Sequence, residues 1–213
     1  MDPSHARKYT KNEIEGIVAD LLNAAYPHGV SPPIKIDLLV EQHPEVDELI
    51  PVDFRDFDID ALLVCKPDTK TFDILFDENA VRGRISFSIA HEFGHAVLHG
   101  EICRECHTIQ DAVDLHMRLR NHFTRIEADA QYIASAILMP RRSLHRDAAA
   151  VYSTLVREYG RNVQLIQSKV CPALASRYRV TAPAMKIRLE RLGLQDEITH
   201  ALAHGFTSLD IEA

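Results

Sequence analysis

His91-Glu92-Phe93-Gly94-His95 stands at the centre of the run Arg84-Ile85-Ser86-Phe87-Ser88-Ile89-Ala90 before it and Ala96-Val97-Leu98-His99 after it. The apolar residues Ile85, Phe87, Ile89, Ala90, Phe93, Ala96, Val97 and Leu98 predict a helix over 85–98, with Gly100 as its stop. Positions four apart share a helix face, so both imidazoles can address one metal ion. Glu92 projects beside such an ion, where its carboxylate can take a proton from a polarised water. Zn²⁺ suits the site, since it favours imidazole nitrogen and brings no redox chemistry.

A catalytic zinc needs a third protein ligand and an open fourth position. The helix expected over Thr124 to Leu138 offers two acids. Thr124 and Glu127 fit a capping box, which would employ Glu127 at the helix start. Asp129 follows Ile126 by three and precedes Ile133 by four, so it lies on the inward face, where a carboxylate needs a partner. Asp129 therefore ranks above Glu127 as the third ligand, with Glu127 kept open. An oxyanion stabiliser is also required. His99, Tyr132 and the histidines between 107 and 122 are its candidates, and His99 could instead orient the site from one turn beyond His95.

Outward from this centre, Ala61–Cys65 and Thr71–Phe76 are strand-like runs joined by the turn residues Lys66-Pro67-Asp68-Thr69-Lys70, a β-hairpin. An edge strand before the histidine helix could take an extended peptide. Thr10 to Ala25 reads as a helix with a Thr10/Glu13 capping box. Ile36 to Gln42 is a short helix, Glu101 to Gln110 is irregular, and Asp111 to His122 has helical content. The remainder is helical, punctuated by Pro172 and Pro183. The fold class is α+β, with a small sheet and many helices.

The chain has 213 residues, 46% of them hydrophobic, which excludes disorder as its main state. No apolar run reaches membrane-spanning length and Met1 to Lys11 is polar, so the expected location is the cytoplasm. The net charge of −7 hides an asymmetry. Residues 1–140 carry 13 basic and 24 acidic side chains, residues 141–194 carry 11 and 3, and residues 195–213 carry none and 4. These borders divide the chain into a catalytic body (1–140), a basic helical segment (141–194) and an acidic tail (195–213). Of 12 histidines, five lie between His91 and His116.

At this point the chain resembles the ImmA/IrrE-type zinc metallopeptidases. They show a basic residue, Phe-Ser/Thr-x-Ala, the His-Glu-x-Gly-His helix and a Leu-His, matched here by residues 84–99. They then show Glu-Ala-Asn-x-Phe-Ala-x-x-Leu-Leu-Met-Pro, matched by Asp129-Ala130-Gln131-Tyr132-Ile133-Ala134-Ser135-Ala136-Ile137-Leu138-Met139-Pro140. Counting back from Met139-Pro140 sets Asp129 at the family's liganding Glu, one methylene shorter. The resemblance implies a zincin-like fold and a cytoplasmic endopeptidase that cleaves a DNA-binding repressor or a similar regulator in a stress response.

Two further patterns stand apart. Cys103-Arg104-Glu105-Cys106-His107 spells a haem-attachment motif, which belongs outside the cytosol and reads here as a surface loop with two thiols. Residues 173–194 read as a helix-turn-helix, with Leu174–Tyr178, a turn at Arg179–Thr181, and Ala182–Leu192 made basic by Lys186, Arg188 and Arg191. Two functions fit the whole: a zinc endopeptidase acting on a protein substrate, or a non-enzymatic DNA-binding module with structural zinc. Glu92 separates them, because a structural site has no use for a free carboxylate beside an open position.

Overall fold

Thr10 opens the first helix as expected: its hydroxyl accepts from the Glu13 amide at 3.2 Å while the Glu13 carboxylate accepts from the Thr10 amide at 2.7 Å. The computed structural model describes residues 6–54, 59–122, 124–160 and 162–209. The chain divides into two units, one of Met1–Gly29 with Lys35–Ile137 and one of Val30–Ile34 with Leu138–Ala213.

The first unit contains α1 (Lys11–Ala25), α2 (Ile36–Glu41), β1 (Val46–Val52), β2 (Ala61–Cys65), β3 (Phe72–Asp77), α3 (Arg82–Cys103), α4 (Ile109–His122) and most of α5 (Thr124–Leu138). The expected hairpin is present: β2 pairs antiparallel with β3 from Ala61↔Phe76 to Cys65↔Phe72. β3 is nevertheless the central strand, because β1 pairs parallel to its other side. The sequence reading misses β1, whose Val46-Asp47-Glu48-Leu49-Ile50-Pro51-Val52 breaks alternation and contains a proline. That composition is tolerated because β1 is an edge strand.

α3 packs on β2 and β3 and sinks Ile89, Phe93, Ala96 and Leu98 into the core. Gly100 does not stop it. The helix bends at His99 (φ −131°, ψ 21°) and runs on to Cys103, because Ile102 and Cys103 still have core to enter. The irregular stretch is therefore shorter than expected. Asp111 ends it by accepting from the Thr108 and His107 amides at 3.0 and 3.2 Å, which starts α4.

The second unit holds α6 (Arg141–Tyr159), α7 (Val163–Tyr178), α8 (Ala182–Arg191) and α9 (Leu194–His204) around a core of Leu144, Tyr152, Ile166, Leu174, Met185 and Leu189. Thr181 caps α8, with Pro183 in its first turn. Among the described residues the acidic segment carries a packed helix. Leu194, Ile198, Ala201 and Leu202 recur on one face of α9 and are buried in this core. Among the described residues no helix is long and apolar enough to cross a membrane.

Candidate active site

α3 presents His91 and His95 on one face, as their spacing requires, with the two Nε2 atoms 3.2 Å apart. The third donor comes from α5, and it is Glu127. One carboxylate oxygen lies 3.2 Å from His95 Nε2 and the other 3.4 Å from His91 Nε2. Among the described residues these three form the group whose donor atoms lie within 4.8 Å of one another.

Asp129 does not join them. Its carboxylate accepts from Arg125 Nε at 2.9 and 3.1 Å, and Arg125 also donates to the Tyr9 carbonyl. The fold brings Glu127, ranked second from the sequence, to the histidines, for a geometric reason. α5 is buried on most of its circumference, including Ile126, Ala130, Tyr132, Ile133, Ser135 and Ala136. An inward position is then no pointer to the metal side. Two residues along a helix turn the side chain by about 200°, so Glu127 and Asp129 cannot share a direction.

Glu127 reaches the histidines because α3 and α5 approach closely at Gly94. A Cβ built there would lie 2.4 Å from Ile133 Cγ2 and 3.3 Å from the Ala130 carbonyl oxygen. Only a residue without a side chain fits between the two histidines at this crossing.

The donor atoms fit a metal. Tetrahedral zinc with bonds of about 2.0–2.1 Å sets its ligands roughly 3.3 Å apart. The contacts here are 3.2, 3.2 and 3.4 Å. Glu127 Oε1, though close to His95, has no aligned hydrogen bond, and His95 Nδ1 has none either. Three acceptors facing one point, two of them on buried side chains, is an arrangement a cation relieves. Burial raises the Glu127 carboxyl, but the two imidazoles outweigh it and hold the group well below the usual carboxylate range. Burial lowers His95, whereas at His91 it is outweighed by Glu127 and Glu92, which raise it.

Glu92 is buried beside this group, 5% exposed. Burial pushes its carboxyl up to about 7, with His91 acting against the shift and the Glu127 charge adding to it. It lines a cleft of about 310 Å³ with His91, Glu127, His116, Arg84 and Asp60. Arg84 and Asp60 form an ion pair at 2.8 Å. A hollow of about 630 Å³ beside α9 is larger, but among the described residues no such group of three metal-donor atoms gathers there.

The remaining candidates separate cleanly. Tyr132 is not at the site, since its hydroxyl donates to Glu15 at 2.8 Å. His99 is buried at the bend of α3, edge-on to Tyr9, and burial followed by the neighbouring His95 lowers it to about 3. Its ring lies tilted against that of His95, ring centres 5.7 Å apart, and neither of its ring nitrogens has a hydrogen-bond partner among the described residues. His107 is turned away, 3.2 Å from the Cys65 carbonyl. The two thiols beside it are not in a surface loop: Cys103 and Cys106 are buried, as is Cys65, and the Cys65 amide donates to the Cys106 carbonyl at 2.7 Å. Burial raises all three thiols, so they stay protonated and unreactive.

The basic side expected for α8 is also reduced. Arg188 is fully buried and its Nε donates to the Met139 carbonyl at 3.1 Å. Arg146 and Arg177, both still more than half exposed, pair with the buried Asp147 at 3.0 and 2.7 Å. Part of the positive charge of 141–194 is thus internal to its own unit.

Two helix-borne imidazoles and a carboxylate from a second helix, with a buried acid at their side, match the donor set of a metallopeptidase. The model of the IrrE N-terminal-like domain (Peptidase_M78) matches residues 49–190, about two thirds of the chain, and the chain belongs to that metallopeptidase family. No curated protein matches it. Among solved structures it is similar to a Mycobacterium tuberculosis transcriptional regulator, with 17% identity and a TM-score of 0.49. That likeness covers 84% of this chain and 46% of the other, so this chain spans about half the length of that protein.

Proposed function

We propose that the protein is a zinc-dependent endopeptidase that hydrolyses a peptide bond in a specific protein, with His91, His95 and Glu127 as metal ligands and Glu92 as general base. The observation that carries this is the convergence of the two Nε2 atoms and the Glu127 carboxylate beside a buried Glu92 at the wall of a cleft. Zinc held there supplies Lewis-acid polarisation of a water, drawing its pKa toward ~7. Glu92 accepts the proton of the attacking water and returns it to the leaving amine. Its raised pKa matches a group that must both take and give a proton near neutrality.

That the substrate is a DNA-binding regulator rests on the motif resemblance of residues 84–99 and 129–140 to the ImmA/IrrE-type enzymes. Four free cysteines, three of them buried, agree with a reducing, cytoplasmic setting. Burial of Arg188 takes one of three basic residues from α8 and speaks against a DNA-reading helix.

The test is Glu92→Gln in the full chain. The variant should keep one zinc per chain and lose cleavage of any substrate the parent cuts. Unchanged cleavage by a zinc-loaded variant would remove Glu92 from the chemistry and the proposal with it.

A further inference from the structure

α4 carries an unusual stripe. Ala112, Leu115 and Leu119 are buried and mark its inward face by their spacing. His116 falls on the same stripe, one turn from Ala112 and close to one turn from Leu119. It is the polar member of an apolar row, and its neighbours show where the row points. Ala112, Leu115 and Leu119 line a small hollow with His95 and Glu127, and His116 lines it too. His116 also lines the open cleft with His91 and Glu92. It is half-buried and therefore within reach of both the site and solvent.

His116 is not a further ligand, because it lies outside the set of donor atoms gathered within 4.8 Å. An apolar residue would satisfy packing at this position, and a half-buried imidazole among leucines incurs a desolvation cost. Of the other oxyanion candidates, Tyr132 is committed to Glu15 and His107 to the Cys65 carbonyl, His99 lines a different hollow with Tyr9 and Glu45, and the exposed His122 lines neither space. A neutral imidazole carries one N–H donor, which is what a carbonyl oxygen needs as it gains charge.

We propose that His116 is the catalytic hydrogen-bond donor to the oxyanion, a role that rests on the endopeptidase reading above. As water oxygen bonds to the carbonyl carbon, one water proton passes to Glu92. The carbonyl π pair moves onto oxygen, where His116 N–H meets it. The C–N bond then breaks, the pair returns to form the new carboxyl, and Glu92 passes its proton to the departing nitrogen. His116 keeps its own proton throughout. The substrate class that fits is an ordinary peptide amide lying across the cleft.

The experiment uses the full zinc-loaded chain, a quenched-fluorescent peptide library, and two probes: a tetrahedral phosphinic tripeptide and planar acetohydroxamate. His116→Ala should keep its zinc, lose about 10²–10³-fold in kcat with KM nearly unchanged, and bind the phosphinic peptide about 10²-fold more weakly. Its acetohydroxamate affinity should stay within about threefold of the parent, since that probe presents no tetrahedral anion. His116→Gln, which retains an N–H donor, should recover part of kcat. A parent that cleaves while His116→Ala matches it in kcat and phosphinic affinity overturns the role of His116 alone. A parent that holds no zinc and cleaves nothing overturns the endopeptidase reading as well.

Discussion

Gly94→Ala tests whether the α3–α5 crossing sets the metal geometry. The added Cβ would lie 2.4 Å from Ile133 Cγ2, whereas carbon atoms in contact prefer about 3.5–4.0 Å. The shortfall is at least about 1 Å. Ile133 is fully buried and β-branched, so its χ1 has little freedom to swing the methyl aside. The Ala130 carbonyl oxygen, at 3.3 Å from the same Cβ, blocks the neighbouring direction. The strain must then move α5 away from α3. Glu127 lies six residues before Ile133 on the same helix, about 9 Å along its axis, and travels with it. An opening of about 1 Å takes the contacts of 3.2 and 3.4 Å past the spacing a tetrahedral ion tolerates.

Two terms oppose each other in stability. Alanine gains about 1 kcal/mol over glycine in a helix interior, and overpacking costs about 1–3 kcal/mol. The metal-free protein should therefore lose no more than about 2 kcal/mol, a small shift in its thermal midpoint. Zinc affinity should fall by at least about tenfold, the scale seen when support of a ligand is lost. Competition with a chromophoric chelator reads the affinity, and thermal melts with and without zinc read the stability. Gly94→Ala/Ile133→Ala removes the clashing methyl and should regain affinity while costing about 2–5 kcal/mol for the cavity. A folded Gly94→Ala protein with the parent's zinc affinity would refute the reasoning, because the close approach would then not position Glu127.

Glu127→Gln should abolish stoichiometric zinc binding, whereas Asp129→Asn should keep zinc and lower the melting temperature by loosening the Arg125 contact; the opposite pattern in metal analysis would restore Asp129 as ligand. Arg188→Ala should destabilise the chain by about 2–4 kcal/mol in denaturant titration, because a buried carbonyl loses its donor and a cavity is left, and an effect under 0.5 kcal/mol would place Arg188 at the surface. At Asp147 burial raises the carboxyl, but hydrogen bonds from Arg146, Arg177 and Tyr178 outweigh it and lower the pKa. A lowered folded-state pKa gives stability that is full above the unfolded value of about 4 and is lost as pH falls through the folded value. Asp147→Asn should therefore cost about 1–3 kcal/mol at pH 7, with the gap to the parent closing below about pH 4 in melts.

The parts of the fold that were legible share one property: a local pattern decides them. The Thr10/Glu13 cap, the hairpin around Pro67 and the His91/His95 spacing each depend on a few adjacent residues and one periodicity. The errors arise where a distant partner decides. β1 exists because β3 offers it an edge, although its own proline and acids argue against a strand. The packing of α9, not its helicity, is hidden by acidic residues on its outer face, while its inner face packs on α8.

The carboxylate that meets the histidines shows the same limit most sharply. Burial periodicity separates inside from outside, but it has no axis that separates one inside neighbour from another. On a helix exposed along one side, Asp129 would have been the sound choice. On α5, covered nearly all round, the direction toward α3 is marked by what α3 lacks: the missing side chain of Gly94 picks out Ala130 and Ile133 as the contact row. Residues three and four apart on that row extend back to Glu127, since 127, 130 and 134 follow one face. The glycine between the two histidines thus contained the signal for the carboxylate that meets them. It becomes readable only when Gly94 is paired with the small Ala130 of α5, whose row runs back to Glu127.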